Sequence, residues 1–144
     1  MNIKVMYHSS TGNTEKLAYA IADALGTRAE IINEKTGVLS EVVDILFIGD
    51  GIYFGKASKE IINFINLLDP GFVKHAAVFA TYGGQSKIGS YICTLLQEKG
   101  VNVIDEQFLC PGQAWFFVNK NRPNKDDLDK IRDFAINTKA EVKR

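Results

Sequence analysis

The sequence reads Ser9-Ser10-Thr11-Gly12-Asn13-Thr14 directly after an apolar run over residues 3–7 that predicts a β-strand. Apolar side chains then recur at helical spacing as far as Leu25, and Gly26 follows as a helix stop. Glycine permits a tight turn, and the N–H groups of such a turn and of the next helix converge on one concavity. The stretch therefore predicts a phosphate-binding loop that uses no cation.

A Ser/Thr-rich helix cap is the structural alternative for this stretch. Five of its six residues carry side chains that form hydrogen bonds, which favours phosphate binding over a plain cap. No Lys follows Gly12 as in loops that hold nucleoside triphosphates, and no Gly-x-Gly-x-x-Gly is present, so neither an NTPase nor an ordinary dinucleotide site is expected.

Strand-like runs alternate with helical patterns along the rest of the chain. Strands are predicted over residues 3–7, 29–32, 42–48, 76–82 and 101–109, and helices over residues 17–25, 61–68 and 88–96 and after an N-cap at Asn124. Such alternation predicts an α/β fold, with a parallel sheet between two helical layers, as one domain over residues 1–144. Ligands of such sheets bind beyond the carboxyl ends of the strands.

The composition narrows the function classes. Among 144 residues, 17 Lys+Arg balance 17 Asp+Glu, which argues against a dedicated nucleic-acid binder. Two cysteines, Cys93 and Cys110, give neither a disulfide framework nor metal-ligand spacing. No signal peptide or membrane helix is evident, so a cytoplasmic protein without a membrane partner is expected.

Two further strand ends combine glycines with aromatic residues. The predicted third strand is followed by Gly49-Asp50-Gly51-Ile52-Tyr53-Phe54-Gly55-Lys56, and the fourth ends in Thr81-Tyr82-Gly83-Gly84-Gln85-Ser86. Aromatic rings in polar, glycine-rich loops favour a flat partner, although each ring could instead pack into the core. Beside a phosphate loop, this pattern predicts a planar phosphorylated cofactor.

These residues resemble the flavodoxin family. The family's first-loop fingerprint, Thr/Ser-x-Thr-Gly-x-Thr, is matched in full by residues 9–14, and its third-loop Ser/Thr-Tyr-Gly by residues 81–83. Its second loop is matched by Gly49, Tyr53, Phe54 and Gly55. The resemblance covers essentially the whole chain, and the length is similar to that of the short-chain form.

The resemblance implies the strand order 2-1-3-4-5 and one noncovalent FMN. By this resemblance residues 9–14 would hold the phosphate, Tyr53 or Phe54 would stack on the ring, the Gly55-Lys56 peptide would face flavin N5, and residues 81–85 would meet the pyrimidine end. Gly84 stands where the family often has an aromatic residue, so Trp115 becomes the candidate for the second ring face. The implied cofactor-binding residues are Ser9, Ser10, Thr11, Gly12, Asn13, Thr14, Ile52, Tyr53, Phe54, Gly55, Lys56, Thr81, Tyr82, Gly83, Gly84, Gln85 and Trp115.

The resemblance implies an electron carrier that shuttles electrons between redox partner proteins, as a monomer. The zero net charge, the lack of acids in residues 81–97 and Lys56 depart from the acidic family pattern and predict a less negative potential for the second one-electron reduction. An NAD(P)H oxidoreductase of the quinone-reductase type is the alternative, with Lys56 and Lys87 available for the phosphates of the dinucleotide. A module without flavin and a redox role for Cys110 are further alternatives.

Overall fold

The computed structural model describes residues 1–52, 57–84, 89–113 and 119–144 of the chain. Strands and helices alternate along it. The strands are β1 (Ile3–His8), β2 (Ala29–Ile31), β3 (Ile45–Ile52), β4 (Ala76–Tyr82) and β5 (Phe108–Pro111), and the helices are α1 (Asn13–Leu25), α2 (Lys59–Leu67), α3 (Gly89–Glu98) and α4 (Lys125–Lys143). A 3₁₀ turn over Pro70–Phe72 connects α2 towards β4.

The five strands form one parallel sheet in the order β2-β1-β3-β4-β5, so the predicted fold class and strand order are confirmed. The central strand, β3, is buried along almost its whole length. Its register places Asp50 beside His8 of β1 and Gly49 beside Phe79 of β4. The carboxyl ends of β1, β3 and β4 therefore meet at one edge of the sheet.

Two apolar layers cover the sheet. One core contains α1 and α4 through side chains such as Leu17 and Phe134, and the other contains α2 and α3 through side chains such as Ile65 and Ile92. A sheet covered on both faces needs apolar residues at successive positions, which explains why β3 lacks an alternating pattern. No helix in the described ranges is long and apolar enough to cross a membrane.

Helix ends follow local chemistry. Gly26 ends α1 in the left-handed conformation, as predicted, and its N–H bonds back to the last turn. Asn124 caps α4, also as predicted, and its side chain accepts from the N–H of Asp127. Asp127 returns the bond to Asn124 and also binds the Arg122 guanidinium through both oxygens, at 2.6 and 2.8 Å.

Two predicted strands are wrong in their bounds by more than one residue, whereas β1 and β2 each differ by a single residue at the end. β3 begins at Ile45 rather than residue 42, because Val43 forms only an isolated bridge to Val73. It also continues through residues 49–52, which were predicted to be loop, since these pair with β4. β5 covers only Phe108–Pro111, because in the preceding residues Val103 makes a single bridge to Ala76.

Candidate functional site

The loop after β1 leads into α1 through Gly12, which has a φ of 87°. A side chain at this φ is strained, so the turn favours glycine. Ser9 supports the turn, because its Oγ accepts the Gly12 N–H at 3.0 Å. Ser10 and Thr11 lie exposed beside it.

The N-terminus of α1 has the features of an anion site. Its N-cap, Gly12, offers no side-chain cap, and a Cβ built on Gly12 would meet no atom within 4 Å. The first N–H groups of a helix point out of its end and carry the positive pole of its dipole. An anion placed above Gly12 would therefore meet open space and N–H donors.

The next two residues of the stretch turn inward. Asn13 is buried, and its Nδ2 donates to the carbonyl of Gln113 at 2.9 Å, beyond β5. Thr14 is also buried, and its hydroxyl lies 2.8 Å from that of Thr81 on β4. These side chains tie the start of α1 to the end of β4 and to the loop that follows β5.

The end of β4 is held by an asparagine that the sequence patterns do not single out. The Nδ2 of Asn119 donates to the carbonyls of Gly83 at 3.0 Å and Gly112 at 3.3 Å. The Gly112 N–H in turn donates to the carbonyl of Tyr82 at 2.9 Å. Gly84 is exposed, and a Cβ built on it would contact nothing within 4 Å.

The remaining predicted site residues divide into two groups. The Ile52 side chain is buried in the core beside α2 and α3, and its carbonyl accepts from the Gly83 N–H at 3.3 Å. A ligand could therefore meet only the backbone of Ile52, at the end of β3, and not its side chain. Six predicted residues lie outside the described residues, namely Tyr53, Phe54, Gly55, Lys56, Gln85 and Trp115.

Asp50 is a buried carboxylate at this edge, and no role was predicted for it. Its Oδ2 accepts the Ser58 N–H at 2.7 Å. Its Oδ1 is buried without a hydrogen-bond partner among the described residues. Burial raises the pKa of the Asp50 carboxyl to about 6, although hydrogen bonds from Ser58 and the nearby His8 favour its ionised form.

Cys110 lies within β5 and is buried. Burial, followed by the nearby Asp127, raises the pKa of the Cys110 thiol to about 12. A thiol protonated at neutral pH is a poor nucleophile and a poor redox group. This geometry argues against the redox role considered for Cys110.

Two features meet at this edge of the sheet. One is the N-terminus of α1, which follows the left-handed Gly12 and has no side-chain cap, and the other is the loop after β4, which is held by Asn119. The sequence of residues 4–115 matches a protein-family model that is described as a flavodoxin domain. The chain belongs to the flavodoxin domain family. This family is one of flavin-binding redox proteins.

Two curated relatives of this flavodoxin-domain chain are similar over most of its length. An uncharacterized protein of Methanocaldococcus jannaschii is 34% identical over 133 residues, which are 85% of this chain and 87% of the relative. The flavodoxin-like domain-containing protein BilS of Clostridioides difficile is 33% identical over 126 residues, which are 78% of this chain and 67% of BilS.

Solved structures support the flavodoxin fold. A flavodoxin from the domain Archaea superposes with a TM-score of 0.81 at 20% identity, over 100% of both chains. Oxidised flavodoxin 2 of Bacillus cereus gives a TM-score of 0.74 at 19% identity, over 98% of this chain and 99% of that one. Rubredoxin oxygen:oxidoreductase of Desulfovibrio gigas gives 0.74 at 14% identity, over 99% of this chain but 36% of that one.

The residues at this edge fit a flavin phosphate. The space over Gly12 is open, and the hydroxyl-bearing Ser10 and Thr11 are exposed at its rim.

Two residues of this edge were not predicted from the sequence, Asn119 and Asp50. Asn119 has a left-handed φ of 50°, a conformation that asparagine tolerates better than most residues. The sequence signal that could have marked Asp50 is an acid inside a glycine-flanked apolar run, Gly49-Asp50-Gly51.

Proposed function

We propose that this protein binds FMN noncovalently at the carboxyl edge of its sheet and shuttles electrons between redox partner proteins. The observation that carries the proposal is the start of α1, where a left-handed glycine leaves the helix end without a side-chain cap and with open space above it. Helix N-termini of this kind bind phosphate groups through backbone N–H donors.

The protein's own residues would bind and orient the cofactor. The N–H groups after Gly12 and the hydroxyls of Ser10 and Thr11 would hold the phosphate. The backbone of residues 81–84, fixed by Asn119, would meet the flat ring. Bound FMN supplies one-electron chemistry that no side chain offers.

The charge balance shapes the proposed partners. With 17 basic and 17 acidic residues, the chain lacks the single-sign excess that steers strongly acidic carriers to their partners. We therefore expect association rates with redox partners that depend weakly on salt. The two free cysteines fit a reducing compartment, and we propose a cytoplasmic monomer without nucleic-acid or membrane partners.

Parallel titrations with FMN and riboflavin test the proposal. Cofactor-free protein should quench FMN fluorescence saturably and bind riboflavin roughly 100-fold more weakly, because riboflavin lacks the phosphate. Equal affinity for both would contradict the phosphate loop. No binding of either at micromolar concentration would overturn the proposal in favour of a module without flavin.

A second candidate, an FMN-dependent NAD(P)H oxidoreductase, is favoured by one observation. Gly84 is exposed with open space around it, so the loop after β4 has no side chain there to cover the cofactor. Hydride transfer needs such stacking space. Anaerobic mixing of the FMN-loaded protein with NADH or NADPH separates the two functions, because bleaching of the flavin at a catalytically useful rate would identify the reductase.

A further inference from the structure

Asp50 ties β3 to α2 across the edge that holds the proposed site. Its Oδ2 accepts the N–H of Ser58, and the Ser58 side chain caps α2 by accepting from the Ile61 N–H at 3.2 Å. The carboxylate thus stands between the end of the central strand and the start of a helix. Residues 53–56 connect these two ends.

The other carboxyl oxygen of Asp50 has no hydrogen-bond partner among the described residues and is shielded from solvent. An ionised oxygen in such a place costs free energy, whereas a protonated one costs much less. Because no donor occupies Oδ1 in the described structure, a proton can bind there without displacing an existing bond.

Among the described residues, the charges around Asp50 come from two elements. His8 of β1 stands beside it in register, and the His8 Nε2 lies 3.5 Å from Glu60 Oε2 of α2. The described parts of β4 and α3 contribute the apolar Ala80 and Ile92 to this face. His8 and Glu60 are both only partly buried.

We propose that Asp50 is a redox-linked proton acceptor of this site: it takes up a proton from solvent when an external one-electron donor reduces the flavin bound at the edge. The proposal rests on the proposed function. Negative charge added nearby raises the proton affinity of a buried carboxylate, so the donor's electron stays on the cofactor and the solvent proton goes to Asp50 Oδ1.

The linkage has a sign. While Asp50 is ionised, its charge opposes reduction and makes the potential more negative. The lack of acids in residues 81–97 predicts a less negative potential, which is the opposite effect. We expect the Asp50 charge to determine the potential above the pKa of Asp50 and to lose its effect below that pKa. A proton affinity tenfold higher in the reduced protein corresponds to about 59 mV for one electron.

Two variants isolate this charge. Asp50→Asn keeps an oxygen that can accept from Ser58 but cannot take up the proton. Asp44→Asn is the matched control, because Asp44 directly precedes β3 at the end opposite to the site, where its carboxylate accepts the Asn2 N–H at 2.7 Å. Both variants change the net charge equally.

Potentiometric titrations of the FMN-loaded proteins with dithionite between pH 5 and 8 test the proposal. At pH 8 we expect the potential of Asp50→Asn to be less negative than that of the wild type by about 59 mV, the value that corresponds to a tenfold change in proton affinity. Near pH 5 the two potentials should converge. Asp44→Asn should follow the wild type. Parallel profiles for wild type and Asp50→Asn would overturn the proposal.

A second readout needs no folded variant. The reduced-minus-oxidised infrared spectrum of the wild-type protein, recorded near the Asp50 pKa of about 6, should contain the band of a newly protonated buried carboxyl, and a spectrum without that band at this pH would overturn the proposal. If the protein fails to bind FMN in the fluorescence titration, the proposed function is overturned as well. Binding of FMN without the carboxyl band would overturn the role of Asp50 alone.

Discussion

The hydroxyl of Thr14 lies 2.8 Å from the hydroxyl of Thr81, and both threonines are fully buried. Thr14 lies in the first turn of α1 and Thr81 belongs to β4, so this single bond fixes the start of α1, directly after the candidate phosphate loop, against the end of β4. A buried hydroxyl that has lost its hydrogen-bond partner destabilises the fold, whereas a pair of apolar groups in the same place does not.

Thr14→Val should lower the free energy of unfolding by about 1–2 kcal/mol, because it leaves the Thr81 hydroxyl unpaired. Thr81→Val should cost a similar amount. The double variant should cost less than the sum of the two single changes, because it leaves no orphaned hydroxyl. Urea denaturation of the four proteins measures this, and strictly additive losses would show that the bond does not form in solution.

Gly49→Ala should destabilise the protein by about 2 kcal/mol, because a Cβ on Gly49 would clash with the Phe79 ring. Gly37→Ala is the control, since a Cβ there meets nothing within 4 Å. Phe79→Leu in the Gly49→Ala background should recover part of the loss. Thermal unfolding of these variants tests the contact, and equal melting temperatures for Gly49→Ala and Gly37→Ala would refute it.

Asp50→Asn should stabilise the protein without cofactor above pH 7, by about 1–2 kcal/mol. The pKa of Asp50 is raised to about 6 in the folded state from an ordinary value near 3.8, so the native state binds more protons between these values. Stability of the wild type therefore falls as pH rises from about 4 to 6 through this group. Denaturation curves at pH 4 and 7.5 check this, and a gain that is equal at both pH values would argue against an ionised Asp50.

Cys110 should resist thiol reagents in the native protein at pH 8. Its thiol is buried and its pKa is raised to about 12, chiefly by burial. Cys110→Ser, which leaves Cys93 as the reacting thiol, should label at the wild-type rate under native conditions. Rapid native modification that disappears in Cys110→Ser would contradict the buried geometry.

The strands and helices that carry strong local signals could be predicted from the sequence. Gly26 and Asn124 mark helix ends through backbone and side-chain chemistry within one turn, and both are confirmed. β4 was predicted with its bounds, because an apolar run ends there at polar residues. Signals of this kind require no knowledge of distant contacts.

The errors arise where distant contacts decide the structure. Gly49 looks like loop sequence, but the Phe79 ring of the neighbouring strand needs a residue without a side chain at that place. Asp50 also suggests a loop, because buried acids are rare. At β5 the apolar residues within 101–109 were not enough, since β4 pairs continuously with Phe108–Pro111 and makes an isolated bridge to Val103.

The candidate site could be predicted in location but not in the roles of its side chains. Of the stretch after β1, the sequence suggests five equivalent polar side chains around Gly12, whereas Asn13 and Thr14 bind Gln113 and Thr81 of the protein itself. Asn119 was missed because its partners are backbone carbonyl groups, one in the loop after β4 and one seven residues earlier in its own connection after β5. No local pattern encodes such a partner.

The central claim, that the helix end behind Gly12 holds the phosphate of FMN, is tested most directly by fluorescence titration of Gly12→Ala against Gly26→Ala. Both glycines have positive φ with open space around them, at opposite ends of α1, so both changes should cost about 1 kcal/mol of stability. We expect Gly12→Ala to weaken FMN binding by at least about tenfold and Gly26→Ala to leave it unchanged. Equal FMN affinity in the two variants would contradict it.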